Sequence, residues 1–366
     1  MAMIKNDDLV SPYQIAMIII MTVISVGVFS IASDAANAAG PDGWLMVAFA
    51  GAVNILAVLV IVILNSRFPG KTFAEYSQVI LGTILGRLLT MMFTIYLIFA
   101  TAYVVRSFTE VIKMFVLFRT PTEIIMLSLI LVCTYIVRSG VECVARINEL
   151  IFPILFIPFL ILMAFGLPSA DFSNLRPFLQ ASPVRMLSAM PALAINYAGI
   201  ELALFYIGFM ENPKKAYKPA IAAVLFITFF LTIVTALCIA AFGQNMTAYF
   251  LWPLMSYIRL ISMPGLFVEH LQGIMLSLWM LSVFTNIVSV YFVMSYSISK
   301  IAGTKEQKQY VLPLAMVIYY FALQPDSLVS HYELAKAVLP YFIILFLYVV
   351  PVILLLIAKL RKLEVK

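Results

Sequence analysis

Apolar residues run along this chain in long stretches divided by short polar connections. At 1.5 Å of rise per residue, stretches able to span a hydrocarbon core of roughly 30 Å fall at 12–37, 43–65, 84–117, 122–138, 143–167, 186–210, 217–243, 268–300, 309–323 and 334–359. They predict ten transmembrane helices. The fourth is short and the ninth shorter, so both are expected to tilt little or to borrow flanking residues. The third is far longer than a bilayer requires. It is expected to tilt steeply and to emerge outside with Arg106, Glu110 and Lys113 on one face, a spacing that suits a mutual ion pair. Between 244 and 267, Trp252-Pro253 and Pro264-Gly265 interrupt helix and predict an outer re-entrant hairpin with Tyr249 and Trp252 as aromatic anchors.

Composition turns that pattern into a class. Of 366 residues 64% are apolar and 11% charged, whereas soluble domains run near half apolar and about a quarter charged. A water-soluble fold is excluded. Ten helices with their loops use up the length, so residues 1–366 are expected to form a single membrane domain. The polar stretch Met1–Val10, with Asp7 and Asp8, lacks the basic flank and cleavage site of a signal peptide, so the first helix is expected to be retained.

The net charge of +6 reads as membrane topology and not as nucleic-acid binding, because the basic residues sit in short runs beside apolar segments. With both termini cytoplasmic, only seven of the 23 Lys and Arg fall outside: Arg106, Lys113, Arg119, Arg176, Arg185, Arg259 and Lys336. That excess of inner positive charge sets the expected orientation. Cys133, Cys143 and Cys238 show no metal-ligand spacing, and His270 and His331 lie far apart, so no metal site is expected.

Candidate chemistry gathers at two interruptions. Ser25-Val26-Gly27 breaks the first segment and is followed by Ser30, Ser33 and Asp34; Asn196-Tyr197-Ala198-Gly199 breaks the sixth and is followed by Glu201. An unwound stretch frees backbone groups to grip a ligand at mid-membrane, and transporter folds place such breaks at matching positions of two halves. Each break opens a half of five spans, about 11–167 and about 186–359, and five is odd, so the second half enters from the opposite side as an inverted repeat. Glu201 lies within the apolar run Met186–Phe209 and has to be paired, protonated or turned toward a polar cavity. It can serve a ligand, bond the broken backbone, or do both. Thr101 and Tyr103 in the third span and Thr285, Asn286 and Ser289 in the eighth supply uncharged donors and acceptors at similar depth. There is no phosphate-binding glycine loop, no H-E-x-x-H and no nucleophile beside a histidine, so neither enzymatic activity nor a cofactor is expected.

Short motifs then suggest a family. They are Pro41-Asp42-Gly43-Trp44, Arg119-Thr120-Pro121, Asn174-Leu175-Arg176-Pro177, Gly199-Ile200-Glu201, Trp252-Pro253, Phe267-Val268-Glu269 and Pro325-Asp326. In this order and spacing the chain resembles the B subunit of spore germinant receptors, a branch of the amino acid, polyamine and organocation transporter superfamily. The resemblance implies an all-α, leucine-transporter-like fold of five plus five inverted helices with the first and sixth broken. It also implies a nutrient sensor in the inner membrane of a dormant spore, acting with A and C subunits on a small-molecule germinant, often an amino acid. Carried over, the pocket comprises Ser25, Val26, Gly27, Ala100, Thr101, Tyr197, Ala198, Gly199 and Thr285, with Glu201, Tyr103 and Asn286 in gating or coupling. Ser25 stands where the more usual motif of the first helix is Gly-x-Gly.

Two other expectations compete with sensing. A secondary amino acid transporter, proton- or sodium-coupled, would use Glu201 or the Thr285 region; proton-coupled relatives resemble one another in a lysine of the fifth helix, and Leu150 to Gly166 holds none. A structural subunit with a vestigial pocket would bind nothing, at odds with a carboxyl group kept at mid-membrane.

Overall fold

The computed structural model describes residues 9–25, 27–177, 179, 190–261, 271–304, 306–325 and 328–364. Val26, Pro264-Gly265, Phe267-Val268-Glu269 and Asp326 lie outside the described residues, as do Lys5, Arg185, Lys305 and Lys366 of the charge pattern. Helices fall on all ten predicted stretches, and no strand occurs among the described residues. Among the described residues, six helical stretches are long and apolar enough to cross a membrane, or seven counting the bent pair in the sixth segment. Pro12–Val23, Thr122–Val137 and Lys308–Leu323 are apolar but shorter, and the first segment is divided between Pro12–Val23 and the stretch that begins at Gly27.

The chain enters through α1 (Pro12–Val23), started by a capping box: Gln14 N–H donates to Ser11 Oγ at 3.2 Å, and Ser11 N–H to Gln14 Oε1 at 2.9 Å. Every residue from Ile15 to Val23 is buried. A helix apolar all round belongs at the centre of a bundle, and α1 packs between α7, α10 and α12, introduced below. After the break, α2 (Gly27–Ala39) resumes and leads into α3 (Gly43–Ser66).

A short amphipathic helix, α4 (Phe73–Leu81), precedes α5 (Thr83–Phe115), the long third span. Gly82, at φ +90°, makes the corner between them. Near the C-terminal end of α5, Arg106 Nε lies 2.9 Å from Glu110 Oε1. Lys113 does not join them: its Nζ donates to Thr122 Oγ1 of α6 (Thr122–Val137) at 2.9 Å and ties two spans together. α7 (Val141–Gly166) follows, with Leu150, Ile154, Ile157, Ile161 and Phe165 exposed along one stripe. Such a stripe at helical spacing is stable only against hydrocarbon. The protein is a multi-pass membrane protein.

The sixth segment is bent by 55° between α8 (Met190–Tyr197) and α9 (Ile200–Phe209). α10 (Tyr217–Tyr249) turns at Gly243, φ +71°, and packs on α3 and α2. The described part of the outer segment holds a short helix, α11 (Pro253–Leu260), against α2; its remainder, 262–267, lies outside the described residues. Tyr249 is exposed, whereas Trp252 is buried and donates its indole N–H to Tyr332 Oη at 3.0 Å, so it anchors protein and not lipid.

α12 (Leu271–Ala302) packs on α5 and α7, and α13 (Lys308–Leu323) on α5. The last segment is α14 (Leu328–Ile343), a π-helical stretch Ile344–Val349, and α15 (Val350–Leu360). Pro351 accounts for the wide turn: it has no N–H for the carbonyl four residues back, and its ring crowds that carbonyl. The widened turn packs against Ile200–Leu202, beside the break of the sixth segment.

Candidate functional site

α1 ends where Ile24 leaves helical geometry, and α2 begins at Gly27; opposite, α8 ends at Tyr197 and α9 begins at Ile200, with Gly199 between them at φ +115°. The two breaks touch. A Cβ added to Gly199 would lie 2.8 Å from Thr22 Cγ2, and one on Gly27 would lie 3.0 Å from Asn196 Oδ1. Glycine is therefore required at Gly199 twice, for its left-handed backbone and for the close approach of α1.

A cavity of about 70 Å³ sits at this crossing. Its wall includes Ser25 and Gly27 at the first break, Ala198, Gly199 and Glu201 at the second, Tyr96, Ala100, Thr101 and Tyr103 of α5, Asn286 of α12, and Leu339 and Ile343 of α14. Two of its hydroxyls, Ser25 Oγ and Thr101 Oγ1, are buried and have no hydrogen-bond partner among the described residues. Buried polar groups are rarely left unpaired in a finished fold, so unpaired ones facing a cavity mark a place for a ligand or water.

Glu201 is held by the backbone and by α5. Its Oε2 accepts from Gly199 N–H at 2.8 Å and its Oε1 from Tyr96 Oη at 2.6 Å. The carboxylate thus ties the break to the long third span while still lining the cavity.

A second cavity of about 650 Å³ lies beside the first, nearer the surface, lined by Ser30, Ser33, Asp34 and Asn37 of α2, Tyr249–Leu251, and Tyr332, Lys336 and Tyr341 of α14. Ser30, Tyr103 and Ile195 line both cavities and stand between them. Across the outer one, Asp34 Oδ1 lies 3.5 Å from Lys336 Nζ, and Asp34 Oδ2 accepts from Asn196 Nδ2 at 3.2 Å.

On the opposite side, Glu75 of α4 pairs with Lys300 at the end of α12, at 2.7 Å. Burial works against the charge of Glu75, but hydrogen bonds from Lys300 and from the Thr72 N–H and hydroxyl, with the Lys300 charge, outweigh it. They hold its carboxyl below the ordinary carboxylate range.

Of the residues singled out from sequence, Ser25, Gly27, Ala100, Thr101, Tyr103, Ala198, Gly199, Glu201 and Asn286 come together around the inner cavity. Val26 lies outside the described residues. Tyr197 and Thr285 do not line it: Tyr197 Oη donates to Val47 O of α3 at 2.9 Å, and Thr285 Oγ1 to Ser282 O of its own helix at 2.8 Å. Sequence reasoning missed Tyr96, which lies one turn before Ala100 on the same helix face and was findable from that spacing. It also missed Leu339 and Ile343, because nothing in an apolar stretch tells which side faces a cavity. Among the described residues, no three His, Cys, Asp or Glu stand close enough to hold a metal ion.

Residues 9–329 match the family described as Spore germination protein. The chain is 27% identical to Spore germination protein YndE of Bacillus subtilis over 362 residues, which covers 98% of this chain and 99% of that protein. It is 28% identical to Spore germination protein GerQB of Bacillus cereus and 24% identical to Spore germination protein B2 of Bacillus subtilis. Each alignment covers 88% of this chain, and 88% and 89% of the respective relative. Among solved structures it is similar to Mhp1, a nucleobase-cation-symport-1 family transporter in a closed conformation with bromovinylhydantoin bound. That likeness has a TM-score of 0.65 at 10% identity and covers 97% of this chain and 81% of Mhp1. The fold is that of a transporter, as the two broken helices led one to expect.

Proposed function

Because the chain belongs to the spore germination protein family, we propose that it is the B-type, germinant-binding subunit of a spore germinant receptor. It takes a small molecule, an amino acid first among candidates, into the inner cavity and signals with A and C subunits. It does so in the spore inner membrane with both termini cytoplasmic. The observation that carries this reading is the pair of buried, unpaired hydroxyls, Ser25 Oγ and Thr101 Oγ1, on residues that line a cavity between two broken helices.

Size and polarity support an amino acid. The cavity of about 70 Å³ is several times the roughly 10–15 Å³ that a single water needs, which leaves room for a small molecule. The first amides of α2 and the positive end of its dipole suit a carboxylate. Glu201 accepts two hydrogen bonds, and a carboxylate has about four acceptor sites, so it keeps capacity for an ammonium group. Binding that favours one arrangement of α1, α2, α8 and α9 over another shifts their populations by no more than the ligand's preference, which suffices for sensing without transport.

Spores carrying Gly199→Leu test the reading. They are expected to hold the protein at normal levels in the membrane and to lose the response to its germinant. An unchanged response contradicts the proposal. Concentrative uptake of a labelled amino acid by the purified chain in liposomes favours the transporter reading instead.

A further inference from the structure

Where a helix breaks, its last carbonyls lose their intrahelical donors and need other partners. At the end of α1, each of the four carbonyls from Thr22 to Ser25 accepts a hydrogen bond. Val23 O takes Ser25 N–H at 2.9 Å. The other three are taken by α12: Asn286 Nδ2 donates to Thr22 O, Ser282 Oγ to Ile24 O, and Trp279 Nε1 to Ser25 O at 3.1 Å. Residues 279, 282 and 286 share one helix face by spacing, and all three are buried.

Carbonyls gathered at a mid-membrane break, at the negative end of a half-helix dipole, are the kind of group that holds a coupling cation in transporters. In this chain three of them already face donor hydrogens of the protein. Those hydrogens bring positive charge to the very oxygens a cation would need, and the indole, hydroxyl and amide groups fill the space beside them. The nearby Ser289 hydroxyl is occupied as well, donating to Thr285 O and accepting from Asn148 Nδ2 at 3.0 Å.

We propose that Trp279, Ser282 and Asn286 are a built-in replacement for a coupling cation, so that the junction of α1 with α12 holds without bound sodium or potassium. The proposal concerns this junction and stands independently of what ligand the cavity takes.

The test is thermal unfolding of the purified full chain, without amino acid, in sodium, potassium or choline chloride at equal ionic strength, with retention of radioactive sodium measured alongside. Asn286→Asp is compared, since it removes one donor and sets a carboxylate against Thr22 O, an arrangement a cation relieves. Wild type is expected to unfold at one temperature in all three salts and to retain no sodium. The variant is expected to gain about 3 °C or more in sodium or potassium over choline, as a ligand bound only by the folded state would give. A wild-type midpoint that rises with sodium or potassium, or saturable sodium retention, overturns the proposal. So does a variant as indifferent to salt as wild type. Should the variant not accumulate, the wild-type salt comparison and sodium retention still decide.

Discussion

Tyr96 donates its hydroxyl hydrogen to Glu201 Oε1 at 2.6 Å, and through that bond α5 holds the break between α8 and α9. Both side chains are buried away from bulk water. Removing one partner of a buried bond leaves the other with its full desolvation penalty, about 1–3 kcal/mol and more where a charge is involved. Tyr96→Phe is therefore expected to lower the thermal midpoint of the purified protein. Tyr348→Phe, which removes a bond from a half-buried tyrosine to the neutral Asn54 Oδ1, is expected to lower it less. Equal midpoints for wild type and Tyr96→Phe would show that the Tyr96 bond does not hold the break.

Thr101 supports a different kind of prediction, because its buried hydroxyl has no partner among the described residues. Thr101→Val keeps the shape and removes a group that contributes nothing to the empty protein. Its stability is expected to be unchanged or slightly higher. If the hydroxyl bonds the ligand, affinity falls by the value of one neutral hydrogen bond, about 0.5–1.5 kcal/mol or roughly 2- to 12-fold. Isotope binding beside thermal unfolding separates the two effects; a loss of stability with unchanged affinity contradicts the assignment.

Gly199 predicts graded damage. Alanine at φ +115° meets both backbone strain and a contact 2.8 Å from Thr22 Cγ2, so Gly199→Ala is expected to weaken the germination response and Gly199→Leu to abolish it. Dose-response curves of spores with matched protein levels measure this. A full response from Gly199→Leu would mean that α1 and the sixth segment need not approach each other.

Acid should loosen the end of the bundle that carries Glu75 and Lys300. Glu75 has its carboxyl held below the ordinary value of 4.5, chiefly by Lys300 against the opposing effect of burial. For a lowered carboxyl the stabilisation is complete above the unfolded value and is lost as pH falls through the folded one. Wild type is expected to lose thermal stability below about pH 4.5 more steeply than Glu75→Gln, which lacks the titrating group. Parallel pH profiles for the two proteins would remove Glu75 from this role.

The two breaks were legible in sequence because each leaves a local trace: small residues at Ser25 to Gly27, and Gly199 followed two residues later by Glu201 in an otherwise apolar run. The long third span was legible from length alone. The partners of those breaks were not. Trp279, Ser282 and Asn286 act on carbonyls more than 250 positions away, and an apolar helix carries no period that tells lipid from cavity. Thr285 shows the same limit from the other side: the right depth and chemistry, but a hydroxyl turned onto its own helix. For Glu201 the sequence allowed a ligand role, a bond to the broken backbone, or both, and its carboxylate bonds the backbone at Gly199 while lining the cavity.

One binding measurement addresses the proposed receptor role itself. Purified full-length protein is screened against amino acids, sugars and nucleosides by thermal shift, with equilibrium isotope binding for each compound that responds and Gly199→Leu as the control. The expected result is that at least one small amino acid raises the wild-type midpoint and binds saturably, and that Gly199→Leu, though folded, does neither. No response from wild type to any compound, or an equal response from Gly199→Leu, would contradict a germinant pocket at the two broken helices.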